Sequence, residues 1–149
     1  MRIRFIRSSE KKRIEQTLES QFGIKKLNYL LFGVGKDKIR GYTGSLSKEE
    51  IMKLSSMSNI ELIGLYLIKE EHGLRISFDS LPLFNKQITK NIIEINEEEA
   101  KHWLRGNDLK KEIPPGLYAM KMGNLLVGCG RSNGEKILNF VPKDRRLRK

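Results

Sequence analysis

The chain has a single cysteine, Cys129, so it forms no internal disulfide and cannot supply a zinc site that needs two or more cysteines. Acidic residues are also short: 18 Asp+Glu stand against 29 Lys+Arg, a net charge of +11 with a pI near 9.8. No apolar run approaches the ~20 residues of a membrane-spanning helix. The opening MRIRFIRSSEKKR has the charge of a secretory n-region, but no apolar stretch of ~7–15 residues follows it. These absences point to a soluble protein of a reducing, cytoplasmic compartment with no membrane partner. A length of 149 residues allows one ordinary domain or two small ones. A basic surplus of this size in a small chain marks nucleic-acid contact, the plainer alternative being a Lys-rich solvated surface.

Both halves are basic. Residues 1–88 hold 16 Lys+Arg and 10 Asp+Glu; residues 89–149 hold 13 and 8. The second half is the denser and ends in VPKDRRLRK, where five of nine residues are cationic. No Gly/Ser-rich linker separates them, so the halves are expected to pack together.

Arg2–Arg7 alternates as a strand with Ile3 and Phe5 on one face. Ser8 or Ser9 offers an N-cap for a helix to about Phe22, with Ile14, Leu18 and Phe22 at four-residue spacing and Gly23 as its C-terminal stop. Strands over 28–34 and 38–43 follow, joined by the turn Gly35-Lys36-Asp37. Ser47-Lys48-Glu49-Glu50 has the form of a capping box opening a short helix with Ile51 and Leu54. Strands over 61–69 and 74–78 flank Glu70-Glu71-His72-Gly73, which makes the first half α+β with a mostly antiparallel sheet. Residues 80–90 read as a helical turn and a connection.

The second half restarts with a strand over 91–95. Asn96 then caps a helix whose first turn carries Glu97, Glu98 and Glu99, where the helix dipole favours anions. Gly106 stops it. After the turn Pro114-Pro115-Gly116 come strands over 117–122, 125–130 and 136–141, a pattern that suits a small, partly open barrel.

Little in the chain resembles a catalytic centre. His72, His102 and Cys129 fall far apart in three kinds of element, which argues against a metal site and against a thiolate–imidazole pair. Cys129, between glycines in LVGCGRS, suits a small buried thiol. No Gly-x-x-x-x-Gly-Lys-Ser/Thr loop is present, and Gly33-Val34-Gly35 lacks the third glycine of a dinucleotide loop. Glu70-Glu71 and Glu97-Glu98-Glu99 sit in a turn and a helix start, where solvation explains them. No enzyme, cofactor or metal is expected.

The cations are better organised. Arg105, Lys110 and Lys111 surround a helix end, as does Lys101. Arg131 and Lys136 flank the loop Ser132-Asn133-Gly134, and Lys143, Arg145, Arg146, Arg148 and Lys149 form the tail. If the barrel closes, helix end, loop and tail could share a face suited to phosphates, beside Gly106, Gly116 and Gly130. Trp103 could stack on a base, but Ala100, Trp103 and Leu104 make a core stripe, and packing is the favoured reading.

Four spaced segments, Trp103–Leu109, Pro115–Tyr118, Gly128–Gly134 and Phe140–Leu147, resemble the PUA-like domain that closes RNA cytosine methyltransferases of the NOL/NOP/Sun family. The order of an α+β module followed by this domain also resembles the pre-PUA plus PUA proteins, among them Nip-seven type ribosome-biogenesis factors and archaeal relatives. The resemblance implies a pre-PUA-like module over 1–88 packed on a PUA-like pseudo-barrel over 89–149. It further implies structured RNA, rRNA or tRNA, as the ligand, in ribosome biogenesis or RNA modification. The contact positions carried over are Arg105, Gly106, Asn107, Asp108 and Lys110, with the basic segment from Lys143 to Arg148. The methyltransferases' catalytic cysteines and S-adenosylmethionine motifs have no counterpart here, so binding without catalysis is expected. The other reading is an adaptor, which would bring a separate RNA methyltransferase or a pre-ribosomal particle to RNA and dock it on a face containing Leu62, Leu65 and Tyr66.

Overall fold

The computed structural model describes residues 3–58, 60 and 63–148. Strand β1 (Ile3–Phe5) runs into α1 (Ser8–Phe22), then β2 (Leu30–Val34), β3 (Lys38–Tyr42), α2 (Lys48–Met57), β4 (Leu65–Glu70) and β5 (Leu74–Ile76). The five strands form one antiparallel sheet in sequence order. The sequence reading of an antiparallel α+β half therefore holds. Positions 61 and 62 of the expected fourth strand lie outside the described residues, as do Met1, Arg2 and Lys149.

Local signals explain most boundaries. Helix α1 ends at Gly23 in the left-handed region (φ 80°), where Gly23 N–H donates to Glu19 O at 2.9 Å and Ile24 N–H to Leu18 O at 3.3 Å. Its start differs from the expected serine cap: Arg7 is the N-cap residue, with no side-chain bond, and Ser8 is already helical. The extended backbone leaving β1 reaches Arg7, whose carbonyl accepts from Lys11 N–H at 2.8 Å and so begins the helix. The Ser47–Glu50 capping box forms in both directions and opens α2, which buries Ile51 but leaves Leu54 exposed.

The connection contains a short helix α3 (Leu81–Phe84), after which β6 (Ile92–Glu94) precedes α4 (Glu97–Leu104). Strands β7 (Gly116–Met122), β8 (Leu125–Ser132) and β9 (Ile137–Asn139) complete a second sheet ordered β6-β7-β8-β9. Hairpin signals account for the antiparallel β7–β8 and β8–β9 pairs, but β6 pairs with β7 in parallel, with α4 in the crossover. A bridge between Leu109 and Ile137 draws the segment after α4 onto β9.

The halves share a core. Ile14, Leu18 and Phe22 of α1 are fully buried and belong to the same cluster as Leu117, Ala119 and Cys129 of the second sheet. Burying each large apolar side chain contributes about 1.5–3 kcal/mol, which is ample to hold the halves together. A second cluster, around Trp103, lies within the C-terminal half. There the indole Nε1 donates to Val127 O at 2.9 Å, and a Cβ at Gly128 or Gly130 would fall 2.8 Å or 2.6 Å from indole atoms. The Gly-Cys-Gly run in β8 makes room for Trp103.

Candidate nucleic-acid interface

Helix α4 orients the candidate surface. Asn96 and Glu99 form a reciprocal capping box, and Glu97, Glu98 and Glu99 crowd the N-terminal turn. Those carboxylates repel a polyanion from that end, so cationic contact falls to the other. Glu99 also accepts from Lys111 Nζ at 2.8 Å; that bond and the Asn96 amide hold its carboxyl below the usual range.

At the C-terminal end the chain turns through Gly106 at φ 94°. Asn139 organises this turn. Its side-chain amide donates to Trp103 O at 2.6 Å and Asn107 O at 2.9 Å, while its backbone N–H donates to Asp108 Oδ1 at 2.9 Å. The tail is fastened alongside: Leu147 N–H donates to Leu104 O at 2.8 Å, and Arg146 Nε donates to Val141 O at 3.1 Å. The Arg146 side chain packs so closely on Gly106 that a Cβ there would lie 2.5 Å from Nε. Helix end and tail are therefore one surface. Sequence reading did not single out Asn139; inside the apolar run ILNFV its only signal was a lone polar residue in a strand.

Besides Arg146, bound to Val141 O, and Lys101, paired with Glu97 at 3.4 Å, the predicted cations divide into three groups. Arg105, Lys110, Lys143 and Arg148 are exposed and have no acidic partner among the described residues. Lys111 and Lys136 are paired, with Glu99 and with Asp108 (3.5 Å) respectively, and border a cleft of about 390 Å³ that also includes Lys110, Glu112 and Glu135. Arg131 and Arg145 face the seam between the halves. Arg131 donates to the carbonyls of Glu71 (2.6 Å) and His72 (3.2 Å), and Arg145 forms a two-pronged pair with Asp79 at 2.9 and 3.1 Å. Asn107 and Asp108 shape the turn and pair with Asn139. Gly130 is buried against Trp103 and Ile137, so the space beside it belongs to the core.

The remaining chemistry candidates stay apart. Burial pushes the Cys129 thiol up to about 12, which leaves it protonated and inert. His72 is an exposed turn residue and His102 lies on α4. Among the described residues no three His, Cys, Asp or Glu converge as a metal site.

A five-stranded α+β module followed by a small sheet crossed by one helix, with cations at the helix end, is the arrangement of a PUA-domain protein. Residues 90–147 match the family described as the methyltransferase RsmF PUA domain, and this chain is a PUA-domain protein carrying that domain. It is similar to ribosomal RNA small subunit methyltransferase F of Shewanella oneidensis, 33% identical over 87 residues. That alignment covers 55% of this chain and only 18% of the relative's length. The fold is similar to that of a conserved PUA domain protein from Thermoplasma acidophilum, with a TM-score of 0.61 at 19% identity and 93% of each chain covered. The expected α+β module with a C-terminal PUA domain is thus present.

Proposed function

We propose that this protein binds structured RNA, rRNA or tRNA, through the PUA domain and serves ribosome biogenesis or RNA modification without catalysing a reaction itself. In this reading residues 1–88 form one unit and residues 89–149 the RNA-binding one. The observation that carries it is the coincidence of the RsmF-type PUA match over 90–147 with the open cations Arg105, Lys110, Lys143 and Arg148 at the α4 end and tail. These neutralise phosphates and release counterions, while the rigid turn held by Asn139 presents a shaped surface to the 2′-hydroxyls and backbone of folded RNA. Lys111 and Lys136 can exchange a carboxylate for a phosphate at the rim. Arg131 and Arg145 position the domain through the seam.

The test is a competition at physiological salt, because a +11 chain binds any polyanion weakly when salt is low. Labelled rRNA and tRNA are challenged with excess heparin and duplex DNA. Survival of one RNA complex is expected; complete loss to heparin would overturn the reading. An adaptor role is the second reading, favoured by the similarity to a protein named as an rRNA methyltransferase. It predicts a methyltransferase or pre-ribosomal partner that stays bound in a pull-down after nuclease treatment.

A further inference from the structure

The N-terminal sheet has two unlike faces. On one, Ile39, Ile68 and Ile76 stand in register across three strands and bury against α1. On the other, the row Ile3–Val34–Lys38–Lys69–Arg75 crosses all five strands, with Phe5–Phe32–Arg40–Tyr66 beside it. Lys48 of α2 sits over the Phe5 ring at 5.1 Å, so α2 lies at the Phe5–Phe32 end, where Phe32 is fully buried. The end bearing Lys38, Tyr66, Lys69 and Arg75 is not fully covered: Lys38 is exposed and Tyr66 half-buried.

Like charges directly opposite on neighbouring strands destabilise a sheet, and here three cations do so in a row. With strands ~4.8 Å apart their Cα atoms lie within about 10 Å. Two carboxylates offset them in part. Lys69 Nζ lies 3.2 Å from Glu71 and 3.8 Å from Asp37, and Arg75 lies 3.4 Å from Glu71. Lys38 has no acidic partner among the described residues and rests over the Tyr66 ring at 5.4 Å. Arg40 adds a further charge, its guanidinium held by the carbonyls of Ile63 and Gly64. At the far end Arg75 stacks on Phe140 of the PUA domain at 4.2 Å. The row therefore runs into the domain that carries the basic tail.

We propose that this outer sheet face, centred on Lys38, Tyr66, Lys69 and Arg75, is a second RNA site that holds an unpaired strand leaving the structured RNA on the PUA domain. The proposal rests on the RNA-binding reading above. Its physics is that of other single-strand platforms: aligned cations follow the backbone, and an aromatic ring offers its face to a base without demanding a sequence. Charge complementarity selects a polyanion, and Tyr66 selects one that carries planar bases.

The experiment uses the full chain with two probes, an oligouridylate of roughly twelve nucleotides, sized to a single-strand site, and the folded RNA identified by the competition above. Lys38→Glu and Tyr66→Leu are each expected to weaken oligouridylate binding about tenfold, the scale of one lost stack or phosphate contact. Folded-RNA binding should change much less. Arg105→Glu with Lys110→Glu should do the reverse. Titration of oligouridylate followed by backbone NMR should shift β3, β4 and β5, a readout independent of the variants. Oligouridylate affinity unchanged in both sheet variants, with no shifts on those strands, overturns this proposal alone. That is also the result if the face docks a protein. An effect of Lys38→Glu without one from Tyr66→Leu would reduce the face to a plain anion surface and likewise overturn it. Failure of the wild-type chain to hold any folded RNA against heparin overturns the RNA-binding reading and this proposal with it.

Discussion

The seam between the modules and the α4 end of the PUA domain use the same residue types for opposite purposes. At the seam, Arg131 and Arg145 are bound to protein groups of the N-terminal module, the carbonyls of Glu71 and His72 and the carboxylate of Asp79. At the helix end, Arg105 and Lys110 are exposed without acidic partners among the described residues. In sequence all four look alike, one cation near a turn. A cation's role is set by what lies opposite it after folding, so counting basic residues overstates the surface available to a ligand.

The largest expected effect lies in the apolar part of the seam. Leu117 belongs to the cluster that holds α1 and is 6% exposed. Leu117→Ala should therefore cost about 2–5 kcal/mol in urea unfolding, in a single transition. A cost well below 1 kcal/mol, or two separate transitions, would show that the modules fold on independent cores. Next, Arg105→Glu with Lys110→Glu should reduce the slope of log affinity against log salt by about 2 while stability changes by less than ~0.5 kcal/mol. An unchanged slope would remove the helix end from the binding surface.

A pH titration sharpens the comparison further. Glu71, beside Lys69, Arg75 and Arg131, and Glu99, bonded to Lys111 and Asn96, both have carboxyl pKa values depressed below the model-compound value of 4.5. A depressed folded-state pKa stabilises above the unfolded value and loses that contribution as pH falls through the folded one. Stability should thus be level above about pH 5 and fall below 4.5, and Glu71→Gln should shrink the acid-dependent loss. An identical acid profile in wild type and Glu71→Gln would show that the Glu71 carboxylate, paired with Lys69 and Arg75, is not coupled to folding. The smallest effect is Arg145→Ala. A solvent-exposed pair adds little to stability, and because Arg145 is bound to Asp79 the salt slope of RNA binding should stay as in wild type. A flattened slope would move Arg145 from the seam to the RNA surface.

The Ser47 and Asn96 caps, the Gly23 stop, the Gly35-Lys36-Asp37 turn and the burial of Trp103 were legible from the residues alone. Each rests on hydrogen bonds or apolar spacing within a few positions of the chain. The family's spaced segments likewise pointed to the PUA domain. The parallel β6–β7 pair, the part Asn139 plays at the helix end, the division of cations between seam and surface, and the outer row Lys38–Lys69–Arg75 were not legible. Each depends on partners brought together from distant positions: Asn139 meets Trp103 and Asn107, and Arg145 meets Asp79 from 66 residues away. Side-chain pattern sets which face of an element is apolar, but register and packing decide which charges meet, and that pairing exists only in the folded chain.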